Sequence, residues 1–288
     1  MSRPASNKKL QDVVNYYSRL GSRLGYRLVM KKSQHFGIYT ELTRTEREAQ
    51  KNFSEQFGEL LELRKGMNVL DAGCGQGVLA VDFAKKYEVT ITGITIVPLE
   101  VKKSQRLAKK FGVESRTDFI EGDYHKLPFP DNTFDCIYAV ETLSHAYDLK
   151  VAVQELYRVL KPGGLFVAAE YEFDFKNTEN GALANQIAEY VESNASIHAV
   201  RDFKKGNFVK ILTNTGYSNL NEYDWTERLV RSFIRLRSIG KPYKKIVKLL
   251  GREAQHPNAI ASSFYADGTE AGIFRYIVYK TTKRKSRA

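Results

Sequence analysis

The run Val69-Leu70-Asp71-Ala72-Gly73-Cys74-Gly75-Gln76-Gly77 constrains this chain more than any other segment. A short apolar stretch, Met67–Ala72, reads as a strand, three glycines follow at alternate positions, and Val78–Tyr87 reads as a helix. Glycine lets the backbone turn sharply and lets a ligand approach it closely. The run therefore predicts a strand–turn–helix unit with a ligand lodged on the turn. The spacing G-x-G-x-G differs from the G-x-G-x-x-G of dinucleotide binders, and no Lys-Ser/Thr pair follows, as a phosphate-cradling loop requires. A nucleoside without a pyrophosphate suits such a turn.

The alternation continues downstream. Val89–Ile94 reads as a strand, Pro98 opens a helix that Gly112 stops, and Thr117–Glu121 and Phe134–Val140 read as further strands. A helix is expected over Leu149–Leu160, a hard turn at Lys161-Pro162-Gly163-Gly164, and a fifth strand at Leu165–Glu170. A helix near Phe203–Thr215 and strands near Tyr217–Trp225 and Gly272–Lys280 complete the set. Short strands separated by helices imply a parallel sheet with right-handed crossovers. Residues 1–60 read as a helical cap interrupted at Gly21 and Gly25; 61–225 as the core; 226–260 as a helical insertion or lid; and 261–288 as the last strand with a basic tail.

The net charge of +12 suggests an anionic partner. Much of the excess lies between Arg228 and Arg252, a stretch with no acidic residue, where cations alternate with Leu229, Phe233, Ile239 and Ile246. Pro242 is expected to divide it into two short helices. An amphipathic basic helix suits peripheral contact with an anionic membrane, or a lid whose cations reach a prenyl diphosphate; a solvated basic face is the plainer reading. Few aromatics interleave with the cations, which disfavours nucleic acid. The tail, Lys280–Ala288, is expected to be disordered. Met1–Leu10 is polar, no apolar run reaches the ~20 residues of a membrane span, and the two cysteines, Cys74 and Cys136, suit a reducing compartment. Cytoplasm is the expectation, and no metal site is expected, since His and carboxylates show no ligand spacing.

Four blocks in order carry a resemblance: Leu70–Gly77; Gly122-Asp123; Pro128-Phe129-Pro130-Asp131-Asn132-Thr133-Phe134-Asp135; and Arg158-Val159-Leu160-Lys161-Pro162-Gly163-Gly164-Leu165. Together they resemble class I methyltransferases dependent on S-adenosylmethionine (SAM). The resemblance implies a Rossmann-like, doubly wound α/β fold with a mostly parallel seven-stranded sheet, a helical N-terminal cap and a helical insertion before the last strand. It also implies that SAM is the cofactor. Asp71, Gly73, Cys74, Gly75 and Gly77 would hold its methionine and ribose part, Thr95 and Ile96 would follow at the end of the second strand, and Asp123 and Tyr124 would meet the adenine. The strand Ile91-Thr92-Gly93-Ile94-Thr95-Ile96 departs from the family pattern, because Thr95 stands where an acid usually grips both ribose hydroxyls. Sterol and cyclopropane-fatty-acid methyltransferases are similar in having a neutral polar residue there.

Tyr138-Ala139-Val140-Glu141-Thr142-Leu143-Ser144-His145-Ala146 is similar to a block of sterol C-methyltransferases, as are the pair Tyr16-Tyr17 and the run Glu270-Ala271-Gly272-Ile273-Phe274. His35-Phe36-Gly37 resembles a segment of the sterol and tocopherol methyltransferases. The usual Gln of the helix after the second strand is Glu100 here.

Methylating an alkene leaves a carbocation, which aromatic faces stabilise and a base must discharge. If residues 141–145 form one helical turn, Glu141 and His145 share a face, and one of them takes the proton. Tyr16, Tyr17, His35, Phe36, Tyr39 and Tyr171 are the expected substrate wall. Plainer readings stand beside these: Glu141 as a SAM ligand or loop cap, His145 as a hydrogen-bonded structural residue, the Tyr pair as helix packing. The leading expectation is C-methylation of a small apolar or prenyl-diphosphate substrate such as a sterol or terpenoid. O- or N-methylation of a small natural product, or a catalytically silent SAM-binding scaffold, are the alternatives. Oligomeric state is not legible.

Overall fold

The computed structural model describes residues 5–19, 22–23, 30, 33–176, 181–251 and 264–285; Gly21, Gly25 and Arg252 lie outside them. In chain order the elements are α1 (Ala5–Ser18), α2 (Glu46–Leu60), β1 (Asn68–Ala72), α3 (Val78–Tyr87), β2 (Thr90–Thr95), α4 (Pro98–Phe111), β3 (Thr117–Glu121) and β4 (Phe134–Val140). A single 3₁₀ turn (Leu143–His145) leads to α5 (Leu149–Val159), β5 (Leu160–Phe173), α6 (Gly181–Asn194), α7 (Asn207–Thr215), β6 (Tyr217–Asp224), α8 (Thr226–Leu249), α9 (Phe264–Glu270) and β7 (Phe274–Lys283).

The seven strands form one sheet in the order β3-β2-β1-β4-β5-β7-β6. The pairs β1–β2, β2–β3, β1–β4 and β4–β5 are parallel. Trp225 N donates to Tyr276 O while Thr281 Oγ1 donates to Ser218 O, so β6 and β7 run in opposite directions. This is the doubly wound, mostly parallel sheet expected from the alternation, with the chain reversing direction at β1.

The chain divides into two compact units. One gathers 54–170, 206–223 and 278–288, and holds β1–β4 with α3, α4, α5 and α7. Local chemistry sets its helix ends. Pro98 occupies the first turn of α4 and Gly112 closes it in the left-handed conformation, with its N–H on Lys109 O. Asp148 caps α5, its Oδ1 accepting from the N–H groups of Lys150 and Val151. Arg158 ties the Pro128–Asp135 block to α5, donating to Phe129 O, Leu127 O, Asp131 and Glu155. That block is therefore braced against α5 through one guanidinium.

The other unit gathers 1–53, 171–205 and 224–277. Its core is aromatic: Phe36 meets Phe233 and Tyr171 edge-on, and Tyr171 in turn meets Phe274 and Tyr276. A buried polar knot binds α8 to α2. Glu46 accepts from Tyr39 Oη at 3.0 Å, Ser232 Oγ at 2.8 Å and Arg235 at 3.3 Å. Farther along, Arg237 and Lys241 pair with Asp267, fastening α8 to α9.

Three expectations are corrected. Pro242 does not split the basic stretch, because α8 runs unbroken from Thr226 to Leu249 with Pro242 inside it. Its buried side, including Leu229, Phe233, Gly240 and Val247, continues across the proline. Ser238, four residues before the proline and so deprived of its N–H donor, lies on the exposed side, where the loss costs least. Lys161-Pro162-Gly163-Gly164 is not a turn between elements but a bulge within β5. Phe134 pairs with Leu160 and Cys136 with Leu165, so the extra residues loop out at Gly163, whose φ is +78°. The basic tail is not disordered as far as Lys285. β7 reaches Lys283, whose ammonium donates to Tyr157 O, Leu160 O and Asn132 Oδ1, and Lys280 pairs with Glu62.

Candidate active site

The glycine turn is built on the exit of β1. Gly73, Gly75 and Gly77 all have positive φ, +85°, +51° and +75°. The N–H groups of Gly73 and Cys74 both donate to Ile94 O at 2.9 Å, pinning the turn to the end of β2. A Cβ on Gly73 would lie 1.9 Å from Thr142 Oγ1, and one on Gly77 would lie 2.6 Å from Ser104 Cβ. Glycine is required at both places by contact as well as by conformation.

Acids surround this turn. Asp71 is buried at the end of β1, and Tyr138 on β4 donates to its Oδ2 at 2.8 Å. Burial pushes the Asp71 carboxyl up to about 7, with the tyrosine bond pulling the other way. Burial and the carboxylates of Asp71 and Glu100 push the Cys74 thiol well above its ordinary range, so Cys74 lines the turn as a neutral group. Thr95 Oγ1 donates to Glu100 Oε2 at 3.0 Å and accepts from Val97 N. A carboxylate, Glu100 on the first turn of α4, thus stands within hydrogen-bond reach of the residue that ends β2. Ile96 is half-buried just beyond β2. Asp123 and Tyr124 follow β3, both half-buried, and Tyr124 Oη donates to Thr142 O at 3.0 Å.

The β4 exit carries the expected base candidates in an unexpected shape. Glu141 stands in the left-handed region, φ +52°, with its N–H on Ala169 O. The helical turn begins only at Leu143, so Glu141 and His145 are not four apart on one helix face. The cause is Glu170, at the end of this unit's part of β5. Its Oε1 accepts the N–H groups of Thr142 at 2.8 Å and Leu143 at 2.6 Å, which bends the backbone there. Glu170 is fully buried, its Oε2 has no hydrogen-bond partner among the described residues, and burial drives the carboxyl up to about 8. Thr142 thus sits between the glycine turn and a proton-holding acid. Nothing in the local pattern of β5 marks Glu170; a charged residue in an apolar strand was the one available sign.

The methyltransferase-domain family matches residues 70–168, the stretch that carries this turn and its acids. The chain is 32% identical over 197 residues to cycloartenol-C-24-methyltransferase 1 of Oryza sativa subsp. japonica, covering 68% of this chain and 57% of that one. It is 26% identical over 292 residues to norajmaline N-methyltransferase of Rauvolfia serpentina, covering 96% and 99%. The chain belongs to the class I SAM-dependent methyltransferases. It spans about half the length of the curated sterol methyltransferases it matches. A solved geranyl diphosphate methyltransferase, in complex with GPP and sinefungin, shares the fold with a TM-score of 0.75 at 16% identity, over 96% of this chain and 99% of that one.

SAM is the cofactor of this class I methyltransferase, and the residues present fit it. Gly73 and Gly77 hold the turn in a left-handed path packed too closely for any side chain, and the carboxylates of Asp71 and Glu100 lie within electrostatic reach of Cys74 on it. Bound there, SAM supplies an electrophilic methyl group on a sulfonium sulfur. Among the described residues no cluster of His, Cys, Asp and Glu has the arrangement of a metal site, and no helix is long and apolar enough to cross a membrane.

The residues expected to form the substrate wall lie in the other unit. Phe36 and Tyr171 are brought together in its aromatic core. His35 is buried against Phe53 with Nδ1 donating to Phe36 O, and burial lowers its pKa to about 4, so the ring is neutral at pH 7. Tyr39 belongs to the Glu46 knot, with Arg231 over its ring, and its phenol is pushed up to about 12. Tyr16 and Tyr17 pack edge-to-face on α1, Tyr16 buried and Tyr17 half-buried.

Proposed function

We propose that this methyltransferase places the methyl group of SAM on an alkene carbon of a small apolar isoprenoid, a sterol or terpenoid, and that Glu141 or His145 removes the proton that follows. The observation that carries the reading is the seat of Gly73 on Thr142, which sets Glu141 one residue from the cofactor turn. The π electrons of the acceptor form the new C–C bond, the S–CH3 bond breaks, and S-adenosylhomocysteine leaves. A carbocation remains on the acceptor, and a C–H bond beside it gives its electrons back to carbon as the base takes the proton. The cycloartenol and sterol relatives support carbon as the acceptor. The exposed apolar row Ile239, Tyr243 and Ile246, on a helix bearing Lys241, Lys245 and Lys248, supports collection of such an acceptor at an anionic membrane surface.

The test is methyl-labelled SAM with a panel of sterols, prenyl diphosphates and amines. Label in an apolar product that survives ether, ester and amine cleavage is the expected result, and Glu141→Gln or His145→Ala, whichever removes the base, should abolish it while S-adenosylhomocysteine still binds. Full transfer in both variants would remove the assignment of the base.

A second reading is N-methylation of a small natural product. The near end-to-end alignment with norajmaline N-methyltransferase favours it. There the same base would deprotonate the acceptor amine, and label would appear only on nitrogen.

A further inference from the structure

We propose that His125 is a positioning residue that sets the cofactor site's selectivity for the adenine amine, by locking the carboxylate of Asp123 in one orientation. The inference rests on the reading of Asp123 as the acid that faces that amine, and adds what makes its direction fixed.

Asp123 follows β3 on a short loop, where a carboxylate would ordinarily sample several rotamers. Here its Oδ1 is held twice, by the backbone N–H of His125 at 2.9 Å and by the ring Nδ1 at 2.5 Å. A carboxylate only accepts, so Nδ1 carries the ring proton. The other ring nitrogen, Nε2, accepts the N–H of Asp148 at 3.4 Å, which requires it to be unprotonated. Both nitrogens are therefore committed and a single tautomer satisfies both contacts.

The ring plane is fixed as firmly as its edge. It stacks on Tyr147, centroids 3.6 Å apart at 18°, and leans on Tyr124 at 4.9 Å. The His125 side chain is 1% exposed whereas that of Asp123 is 24% exposed. Asp148, which supplies the N–H to Nε2, is itself the cap of α5. The chain of contacts runs from the helix cap through the imidazole to Oδ1, leaving Oδ2 as the oxygen of Asp123 presented to a ligand. An acceptor aimed in advance discriminates between purines that differ by one donor more sharply than a mobile one, because no rotamer freedom is lost on binding.

The experiment is titration calorimetry of the full chain with S-adenosylhomocysteine and with its 6-deamino analogue, in which hydrogen replaces the amine. Wild type should prefer the amine-bearing ligand, and His125→Ala should reduce that preference about tenfold or more, the scale of one hydrogen bond to a charged group. His125→Gln, whose amide can donate to Oδ1, should retain part of the preference and serves if the alanine variant unfolds. A merely structural role would weaken both ligands by the same factor and leave their ratio intact; that result overturns the proposal alone. Equal affinity of wild type for the two ligands overturns the reading of Asp123, and this inference with it.

Discussion

Replacing Glu170 by Gln keeps an oxygen for the N–H groups of Thr142 and Leu143 while removing a group that titrates. The carboxyl is fully buried and held up to about 8, against 4.5 for a solvated glutamate. A carboxyl raised in this way binds its proton more tightly in the folded chain than in the unfolded one. Its contribution to stability is complete below pH 4.5 and is lost as pH rises through the folded value, because the unfolded chain releases its proton first. Each pH unit inside that window is worth ~1.4 kcal/mol. Between pH 5 and pH 7 wild type should therefore lose about 3 kcal/mol that Glu170→Gln does not lose. At ~2–4 °C per kcal/mol for a chain of this class, the difference in Tm between the two proteins should open by roughly 6–12 °C over the same range. Thermal or urea unfolding of both proteins at pH 5, 6, 7 and 8 reads it directly. Any fixed cost of the new amide cancels, since the slope with pH is what is compared. Curves that stay parallel from pH 5 to pH 8 would refute the reasoning and show that Glu170 ionises as a solvated acid does.

Two further outcomes follow from the geometry. Gly73→Ala forces a left-handed backbone on alanine and drives its Cβ into Thr142, so binding of S-adenosylhomocysteine should fall at least about a hundredfold by calorimetry, at a strain of order 1–3 kcal/mol plus the displaced turn. Glu46→Ala removes the acceptor shared by Tyr39, Ser232 and Arg235 and should cost about 2–4 kcal/mol in urea unfolding, whereas Arg235→Lys, at the half-exposed edge of the same knot, should cost well under half of that.

Where a rule of local chemistry decides an element, the sequence is enough. Val78–Tyr87, Pro98–Phe111, Thr117–Glu121 and Phe134–Val140 lie where glycine, proline and apolar periodicity put them. The glycine turn was legible for the same reason. Pro242 shows the limit: the penalty of an interior proline is local, and the continuous buried side of α8 outweighs it. The bulge at Lys161–Gly164 was read as a stop because glycine and proline mark a break without saying whether the strand resumes in the same ladder. His125 and Glu170 escaped notice because their roles are made by distant residues. Asp148 is 23 positions from His125, and Thr142 is 28 positions from Glu170. Neither spacing repeats a pattern that a single sequence displays. Glu141 and His145 were rightly placed at the β4 exit, but the shape there depends on Glu170 and was not foreseeable without it.

The position of β7 has a consequence for how the protein is made. It is synthesised after β6 yet lies between β5 and β6 in the sheet. During translation the β5 edge stays open while α8 and α9 emerge, and β6 has no neighbour to settle on. Closing β7 onto β5 spans a longer separation than any pairing in the β1–β4 half, which makes that step the slower one. A nascent chain paused in the α8 region therefore carries an unpaired, apolar strand edge, the form most prone to pair with another copy of itself. Chaperone dependence of this protein should be greatest for chains truncated just before Phe274.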